Sequence, residues 1–138
     1  MPAILKITVG ELELVARLEE DRAPQTVAAF RRLLPLDSKL IQARWSGQSA
    51  WIPFGDLDLG IGFEDPTSYP GPCELLIYPG GVSETEILFP YGQTCFASKA
   101  GLLAGNHFAT VVEGREHFQE IGRRVLWEGA QPVRFVEE

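Results

Sequence analysis

The sequence predicts a mostly β protein, a barrel of seven or eight short strands accompanied by two helices. Three observations lead to this prediction. Several short runs alternate apolar and polar residues with a period of two, which is typical of strands with one buried face. Turn signals rich in Gly and Pro separate these runs, and many short strands joined by turns favour a barrel. Two other runs space their apolar residues as on one face of a helix.

The chain begins with a predicted antiparallel hairpin, which a helix follows. Apolar and polar residues alternate over residues 5–9 and again over residues 12–18, and a Gly-containing turn separates the two runs. The segment EDRAPQTVAAFRRLLP, residues 20–35, then predicts the first helix. Pro24 suits its first turn, and Pro35 ends it.

The later elements are shorter. Residues 55–72 are rich in Gly, Pro and Asp and predict a loop, and loops of this length in compact domains are usually functional or poorly ordered. A second helix is predicted over residues 115–121, with Phe118 and Ile121 facing inward. The further predicted strands cover residues 40–45, 50–54, 74–78, 86–89, 107–112 and 133–136.

The composition is that of one globular domain, which we assign to residues 1–138. Hydrophobic residues make up 45% of the chain and charged residues 22%. The net charge of -7 argues against nucleic acid, which proteins bind through Lys and Arg. No apolar run approaches the ~20 residues of a membrane helix, and the N-terminus does not resemble a signal peptide. We therefore expect a cytoplasmic protein without a membrane partner.

The cysteines, histidines and glycines form no recognised metal or cofactor pattern, so we expect neither. Cys73 and Cys95 fit no CxxC motif or disulfide framework, and we predict small buried thiols. His107 and His117 are ten residues apart, which matches no standard ligand spacing. The glycines at 80–81 lack the Lys that completes a phosphate-binding loop.

Two segments resemble cyclophilins. RAPQTVAAFRRLL, residues 22–34, is similar to their first helix, and LAGNHFATVVEGREHFQEI, residues 103–121, is similar to their last core strand and second helix. The middle of the chain, with YPGGVSETEIL…YG and FASKAG…GNHF, resembles a group of small bacterial cyclophilin-like proteins of unassigned function, the DUF3830 family. This resemblance implies a closed, mostly antiparallel barrel capped by two helices, with a ligand groove on its outer face.

The chain departs from the cyclophilin pattern where those proteins carry the arginine of prolyl isomerisation. Their strand reads Tyr-x-Gly-x-x-Phe-His-Arg, and the corresponding stretch here places Trp51 at the histidine and Ile52 at the arginine. An aliphatic side chain cannot stabilise a developing amide dipole. Arg44 could replace the arginine only with a favourable local twist, because neighbouring strand residues point to opposite faces. Prolyl isomerase activity is therefore an alternative and not the preferred function.

The segment YPGGVSETEILFPYG, residues 78–92, carries two carboxylates spaced by two. Glu84 and Glu86 would share one face if residue 84 already lies in a strand, and paired carboxylates can divide acid and base roles or bind a hard cation. The structural alternative is that residues 83–85 complete a turn and Glu86 faces water, as acidic side chains mostly do.

Our preferred hypothesis is a binding module, or a small enzyme, for a compact metabolite or peptide. We predict a pocket on the outer barrel face with the 55–72 loop as a lid, and carboxylates there would favour a ligand with an amine or amide donor. His107 could instead only cap the barrel edge, and Tyr69 could only pin the loop. The predicted ligand-binding residues are Trp51, Tyr69, Glu84, Tyr91, Asn106 and His107.

Two further hypotheses concern other classes of function. Cys95 or Ser98 could form a nucleophilic triad with His107 and Glu84, although neither lies in a recognised nucleophile motif. The chain could also be an interaction protein, whose barrel docks another subunit of a bacterial enzyme assembly or its own copy in a homo-oligomer.

Overall fold

The computed structural model describes residues 3–138 and shows a closed barrel with two helices, as the sequence predicts. Short 3-10 turns at Arg44–Ser46 and Arg115–His117 precede β4 and α2. The elements are β1 (Ile4–Val9), β2 (Leu12–Leu18), α1 (Pro24–Arg31), β3 (Leu36–Gln42), β4 (Gly47–Pro53), β5 (Glu74–Tyr78), β6 (Glu86–Thr94), β7 (Ala97–Ser98), β8 (Gly101–Leu102), β9 (Asn106–Glu113), α2 (Phe118–Trp127) and β10 (Gln131–Glu137).

Eight strands close the barrel in the order β1, β10, β3, β4, β6, β5, β9, β2, with β2 returning to β1. Every pairing is antiparallel. β7 and β8 form a separate small hairpin outside the barrel. Closure leaves no free edge among these eight strands, so each strand buries one face inside the barrel and turns the other outward.

The main core fills the barrel, and the two helices cover its openings. On α1, the ring of Phe30 lies 4.7 Å from that of Phe108 and 5.7 Å from that of Phe135. On α2, Phe118 packs edge-to-face on Phe89, with 5.8 Å between the ring centroids. Rings in these tilted and edge-to-face arrangements stabilise the packing beyond the area they bury.

A second, smaller apolar cluster lies on the outer face of β4, β5 and β6. Successive side chains of a strand alternate between faces, so Ile87 and Phe89 point into the barrel while Leu88 points out. Phe96 and Leu103, which flank the β7–β8 hairpin on either side, are buried against this outer face. The cluster consists of Ala43, Leu76, Tyr78, Leu88, Phe96 and Leu103, with Trp51 packed against it.

Most element boundaries differ by a few residues from the predictions, and the differences are largest for β3, β6 and α2. The strand predicted over residues 40–45 begins at Leu36 and ends at Gln42, because the chain then enters the Arg44–Ser46 turn. That turn leads into Gly47 at a φ of 93°, where a Cβ would lie 2.9 Å from the carbonyl oxygen of Gln93. β6 runs on to Thr94, and α2 continues to Trp127.

The prediction for the cysteines is half correct. Cys73 is buried, whereas Cys95, which lies between the end of β6 and the β7–β8 hairpin, is exposed. No helix within residues 3–138 has the length and apolar character that crossing a membrane requires.

Candidate functional site

A cavity of about 250 Å³ lies on the outer face of the barrel. Its walls come from the Arg44–Ser46 turn, the outer face of β4, the first residue of β6 and the β7–β8 hairpin. The lining residues are mostly small or aromatic, with one carboxylate and one ammonium. They are Ala43, Trp45, Ser46, Trp51, Val82, Ser83, Glu86, Ala97, Ser98, Lys99 and Ala100.

Strand register directs Glu86 into this cavity. Glu86 is paired with Pro53 of β4 on one side and with Tyr78 of β5 on the other. Its neighbour Ile87 points into the barrel, so the Glu86 side chain points outward on the same face as Leu88. Leu88 is paired in turn with Trp51, which places the indole and the carboxyl group on adjacent rows of one face.

Glu86 is the most unusual side chain of the cavity. Only 4% of it is exposed, and no residue of 3–138 donates a hydrogen bond to its carboxyl group. Burial raises the pKa of Glu86 from 4.5 to about 8, and repulsion from Glu84 adds to the effect. At neutral pH the empty protein therefore holds this carboxyl mostly in its neutral form.

The mouth of the cavity carries two exposed groups that contact each other. Trp45, on the 3-10 turn, is 48% exposed, and the Lys99 ammonium lies 5.6 Å from the centroid of its ring. A cation at this distance over an indole face is attracted by the ring. The cavity thus has a buried carboxyl group at its base and an ammonium with an aromatic face at its mouth.

The turn that precedes β6 is held in place by two residues. The backbone N–H groups of Val82 and Ser83 donate to the Tyr78 hydroxyl, at 3.1 and 3.4 Å. Thr85 is buried, and its hydroxyl donates to the Leu57 carbonyl at 2.6 Å. These contacts fix the rim of the cavity and the point at which Glu86 enters the strand.

The two carboxylates of this segment do not share a face. Residue 84 precedes β6 and is not in strand conformation, so Glu84 is exposed and lines a separate shallow depression with Asp56 and Asp58. The prediction that Glu86 faces water is wrong, because its outward face is covered by the turn at Val82–Ser83 and by the β7–β8 hairpin.

The structure does not bring all six predicted ligand-binding residues together. Trp51 lines the cavity, whereas Glu84 lines the separate depression, which shares only Ser83 with the cavity. Tyr69 is 68% exposed on its loop. Tyr91 lies in a different depression beside α2, where its hydroxyl donates to Gln42 at 2.6 Å. A ligand-binding role for these residues remains a prediction.

Asn106 anchors the 55–72 loop to α1. Its Oδ1 accepts from the Glu64 N–H at 2.8 Å, and its Nδ2 donates to the Gly62 carbonyl and to the Thr26 hydroxyl, both at 2.9 Å. The Glu64 carboxylate in turn accepts from the N–H groups of Gln25 and Thr26 at the start of α1. No residue of this loop lines the cavity, so the loop is not positioned as its lid.

His107 belongs to a polar chain that includes residues of β9 and β5 and Glu19, which directly follows β2. The Thr110 hydroxyl donates to Glu19 at 2.5 Å, so the His107 Nε2, 2.7 Å from that hydroxyl, carries the proton and donates to it. The His107 Nδ1 lies 4.0 Å from the Glu74 carboxylate. Burial lowers the pKa of His107 despite these carboxylates. Ser98 lines the cavity but neither His107 nor Cys95 does, so the proposed triad is not assembled there.

The structure also locates the residues that bear on isomerase chemistry. Ile52 is fully buried and belongs to the core of the barrel. Arg44 is exposed on the 3-10 turn, and no arginine of residues 3–138 lines the cavity.

The six predicted ligand-binding residues do not include three residues of this site, although the sequence singles out Glu86 as one of two paired carboxylates. Glu86 carried a signal, since it opens the apolar run EILFP, which predicts a strand buried on both faces. The sequence predicts Trp45 in a strand, whereas the structure places it in the 3-10 turn, which brings it to the cavity mouth. Nothing in the local sequence marks Lys99, which reaches the site through the short β7–β8 hairpin.

The fold places this chain among the cyclophilin-like barrels, with a closed eight-stranded antiparallel barrel, two helices and a cavity on its outer face. More narrowly, the chain belongs to the family described as "Protein of unknown function (DUF3830)", whose model matches residues 5–137.

Two solved structures share the fold. The structure of McbB in complex with tryptophan matches with a TM-score of 0.70 and 20% identity, over 96% of this chain and 44% of McbB. The hypothetical protein AF2241 from Archaeoglobus fulgidus matches with a TM-score of 0.64 and 17% identity, over 98% of this chain and 94% of AF2241. At these identities the likeness shows the fold alone. No curated protein sequence matches the chain.

Proposed function

We propose that this protein binds a compact organic ligand in the outer-face cavity, with Glu86 as its polar anchor. One observation carries the proposal. Glu86 is almost fully buried, lines the cavity and accepts no hydrogen bond from residues 3–138. Its carboxyl oxygens are open to the cavity, because Ser49 Oγ is the one side-chain polar atom of residues 3–138 that is fully enclosed without a hydrogen-bond partner. A polar group placed on a pocket wall in this way orients a bound ligand. A ligand that donates to Glu86 would supply the missing partner.

The rest of the cavity is suited to a small molecule. Binding sites for compact ligands are concave and mostly apolar, with a few placed polar groups that orient the ligand. Here the two indoles of Trp45 and Trp51 supply flat apolar walls, and the hydroxyls of Ser83 and Ser98 supply further polar contacts. A carboxyl group at the base favours a ligand with an amine or amide donor.

The structural relatives add a first candidate. McbB, which shares this fold at 20% identity, was solved with tryptophan, a compact molecule that carries an ammonium group. We therefore choose tryptophan as the first probe of the cavity. The proposal uses Trp51 among the six predicted residues, and it uses Glu84 only through its effect on the Glu86 carboxyl.

A thermal-shift screen tests this function. Tryptophan and a library of amine- and amide-bearing metabolites are added to the wild-type protein, to Glu86→Gln and to the matched control Glu84→Gln. A ligand at a hundred times its Kd adds about 2.7 kcal/mol to the free energy of unfolding. We expect at least one compound to stabilise the wild type and Glu84→Gln but not Glu86→Gln. A stabilising compound that acts equally on all three proteins would contradict the proposal.

A further inference from the structure

We infer that the ligand is a compact zwitterion of the amino-acid class, with its ammonium group at Glu86, its carboxylate at Lys99 and its apolar body against the tryptophans. This inference rests on the proposed function and specifies its ligand. It is carried by the arrangement of one acidic and one basic side chain in one small cavity.

The first step is that these two side chains do not form an ion pair with each other. Glu86 and Lys99 line the same cavity of about 250 Å³. Among residues 3–138, however, neither of them has an oppositely charged side chain within 4.0 Å, although ten other pairs of a Lys or Arg with a carboxylate form. Opposite charges held apart across a cavity are complementary to a ligand whose own charges are opposite and separated.

The second step is the direction in which the ligand enters. Glu86 is buried, whereas Lys99 is exposed on the β7–β8 hairpin above the ring of Trp45. The cationic end of the ligand therefore lies deepest, where low exposure to water strengthens its attraction to a carboxylate. The anionic end remains at the mouth, where the flexible Lys99 side chain can reach it.

The third step is the apolar middle of the cavity. Besides the two ionisable side chains, Trp51, Ala43 and Ala97 form part of the cavity wall. Flat apolar area of this kind binds an aromatic or aliphatic side chain through burial of its surface. A simple ammonium or carboxylate compound would satisfy only one of the two charged residues.

The cavity is less suited to an inorganic cation. Hard cations such as Ca²⁺ and Mg²⁺ require six or more oxygen ligands, usually with more than one carboxylate. Glu86 is the single carboxylate on the cavity wall, and residues 3–138 contain no group of three or more metal-binding side chains. An organic ammonium needs only one carboxylate and an apolar surrounding, which this cavity provides.

A set of four compounds with one phenyl ring tests the inference. Phenylalanine carries both charges, phenethylamine only the ammonium, 3-phenylpropionate only the carboxylate, and 2-phenylethanol neither. Binding is followed by two-dimensional ¹H–¹⁵N NMR, including the indole signals of Trp45 and Trp51. Charge-assisted hydrogen bonds favour phenylalanine by about tenfold over either singly charged compound.

Variants assign each charge to its residue. Glu86→Gln is expected to remove the advantage of compounds with an ammonium, and Lys99→Met that of compounds with a carboxylate. Glu113→Gln and Lys39→Met, which change exposed residues outside the cavity, should leave all four affinities within about twofold of the wild type.

Two outcomes would overturn the inference. In the first, phenethylamine binds as tightly as phenylalanine and Lys99→Met changes nothing. The ligand would then be a simple amine, and the proposed function would stand because binding still depends on Glu86. In the second, none of the four compounds shifts the indole signals at millimolar concentration, and the assigned class is wrong. The proposed function itself fails only if the metabolite screen finds no compound whose binding depends on Glu86.

Discussion

Glu84 and Glu86 are two residues apart in the chain, but the first side chain is exposed and the second is 4% exposed at the base of a cavity. The difference arises because β6 begins only at Glu86. The two residues therefore form a natural matched pair, in which the same Glu→Gln change tests a buried and an exposed carboxylate within one segment.

The first prediction concerns stability and pH. The folded state holds the Glu86 proton up to about pH 8, whereas an unfolded Glu loses it near 4.5. The folded state then binds more protons, so the free energy of unfolding falls as pH rises between these values, by at most about 1.4 kcal/mol per pH unit. We expect the free energy of unfolding of Glu86→Gln to decrease less with pH over this range. This variant should also be more stable than the wild type at pH 8. Urea unfolding of both proteins at pH 5 to 8 measures these free energies.

Glu84→Gln is the control for that measurement. It should keep most of the wild-type pH dependence, because it removes only the smaller contribution to the shifted pKa of Glu86. If the free energy of unfolding of Glu86→Gln depended on pH as strongly as that of the wild type, Glu86 would not hold its proton in the folded protein.

The second prediction concerns proton release on binding. At pH 7 the empty cavity holds a mostly neutral Glu86, and a bound ammonium favours the carboxylate. Binding of the tightest phenyl compound should therefore release close to one proton. Calorimetry in two buffers of different ionisation enthalpy detects the release as a buffer-dependent heat. A buffer-independent heat would mean that Glu86 keeps its protonation state when the ligand binds.

The third prediction separates two roles for Asn106. Asn106→Ala leaves the Glu64 N–H, the Gly62 carbonyl and the Thr26 hydroxyl without one partner each. Unsatisfied buried polar groups cost about 1–3 kcal/mol, so we expect a loss of this size in the free energy of unfolding. Chymotrypsin should also cleave faster at Phe63, which is 55% exposed on the released loop.

Tyr69→Ala is the control on the same loop and should change stability by less than about 0.5 kcal/mol, because Tyr69 is exposed. If Asn106 instead binds the ligand, Asn106→Ala should lose ligand binding without losing stability. A stable Asn106→Ala protein that has lost ligand binding would place Asn106 in the binding site, as the sequence suggested.

The fourth prediction concerns the contact of α2 with β6. A Cβ at Gly122 would lie 2.3 Å from Cε1 of Tyr91, so Gly122→Ala must displace the tyrosine ring. Alanine normally stabilises a helix relative to glycine, but overpacking here should cost about 1–3 kcal/mol. Unfolding of Gly122→Ala, Tyr91→Ala and the double variant tests this, because the cost should largely disappear once the ring is absent. Additive costs would mean that the contact is not the cause.

The fifth prediction is that the protein does not accelerate prolyl isomerisation. Ile52 is buried inside the barrel, and Arg44 is exposed and outside the cavity wall, so no guanidinium faces a bound prolyl amide there. A proline-containing peptide followed with an authentic cyclophilin as positive control measures the rate. Acceleration by the wild type that Arg44→Ala abolishes would restore the isomerase hypothesis.

The elements that sequence predicted well are those with local signals. Pro24 begins α1 as expected, since a proline suits the first helical turn whatever the helix packs against. The β1–β2 hairpin follows from strict alternation around one turn. In contrast, the Arg44–Ser46 turn and the β7–β8 hairpin are too short for a periodic pattern, and both form the cavity.

The sequence by itself determined the barrel, its two helices and the family, because alternation, helix-ending prolines and family motifs are read along the chain. Only the tertiary structure decided which carboxylate is buried and which of the aromatic and cationic side chains surround it. The burial of Glu86 depends on its pairing between Pro53 and Tyr78 and on the β7–β8 hairpin that covers the same face. Burial is a property of what packs over a residue, and spacing along the chain does not contain it.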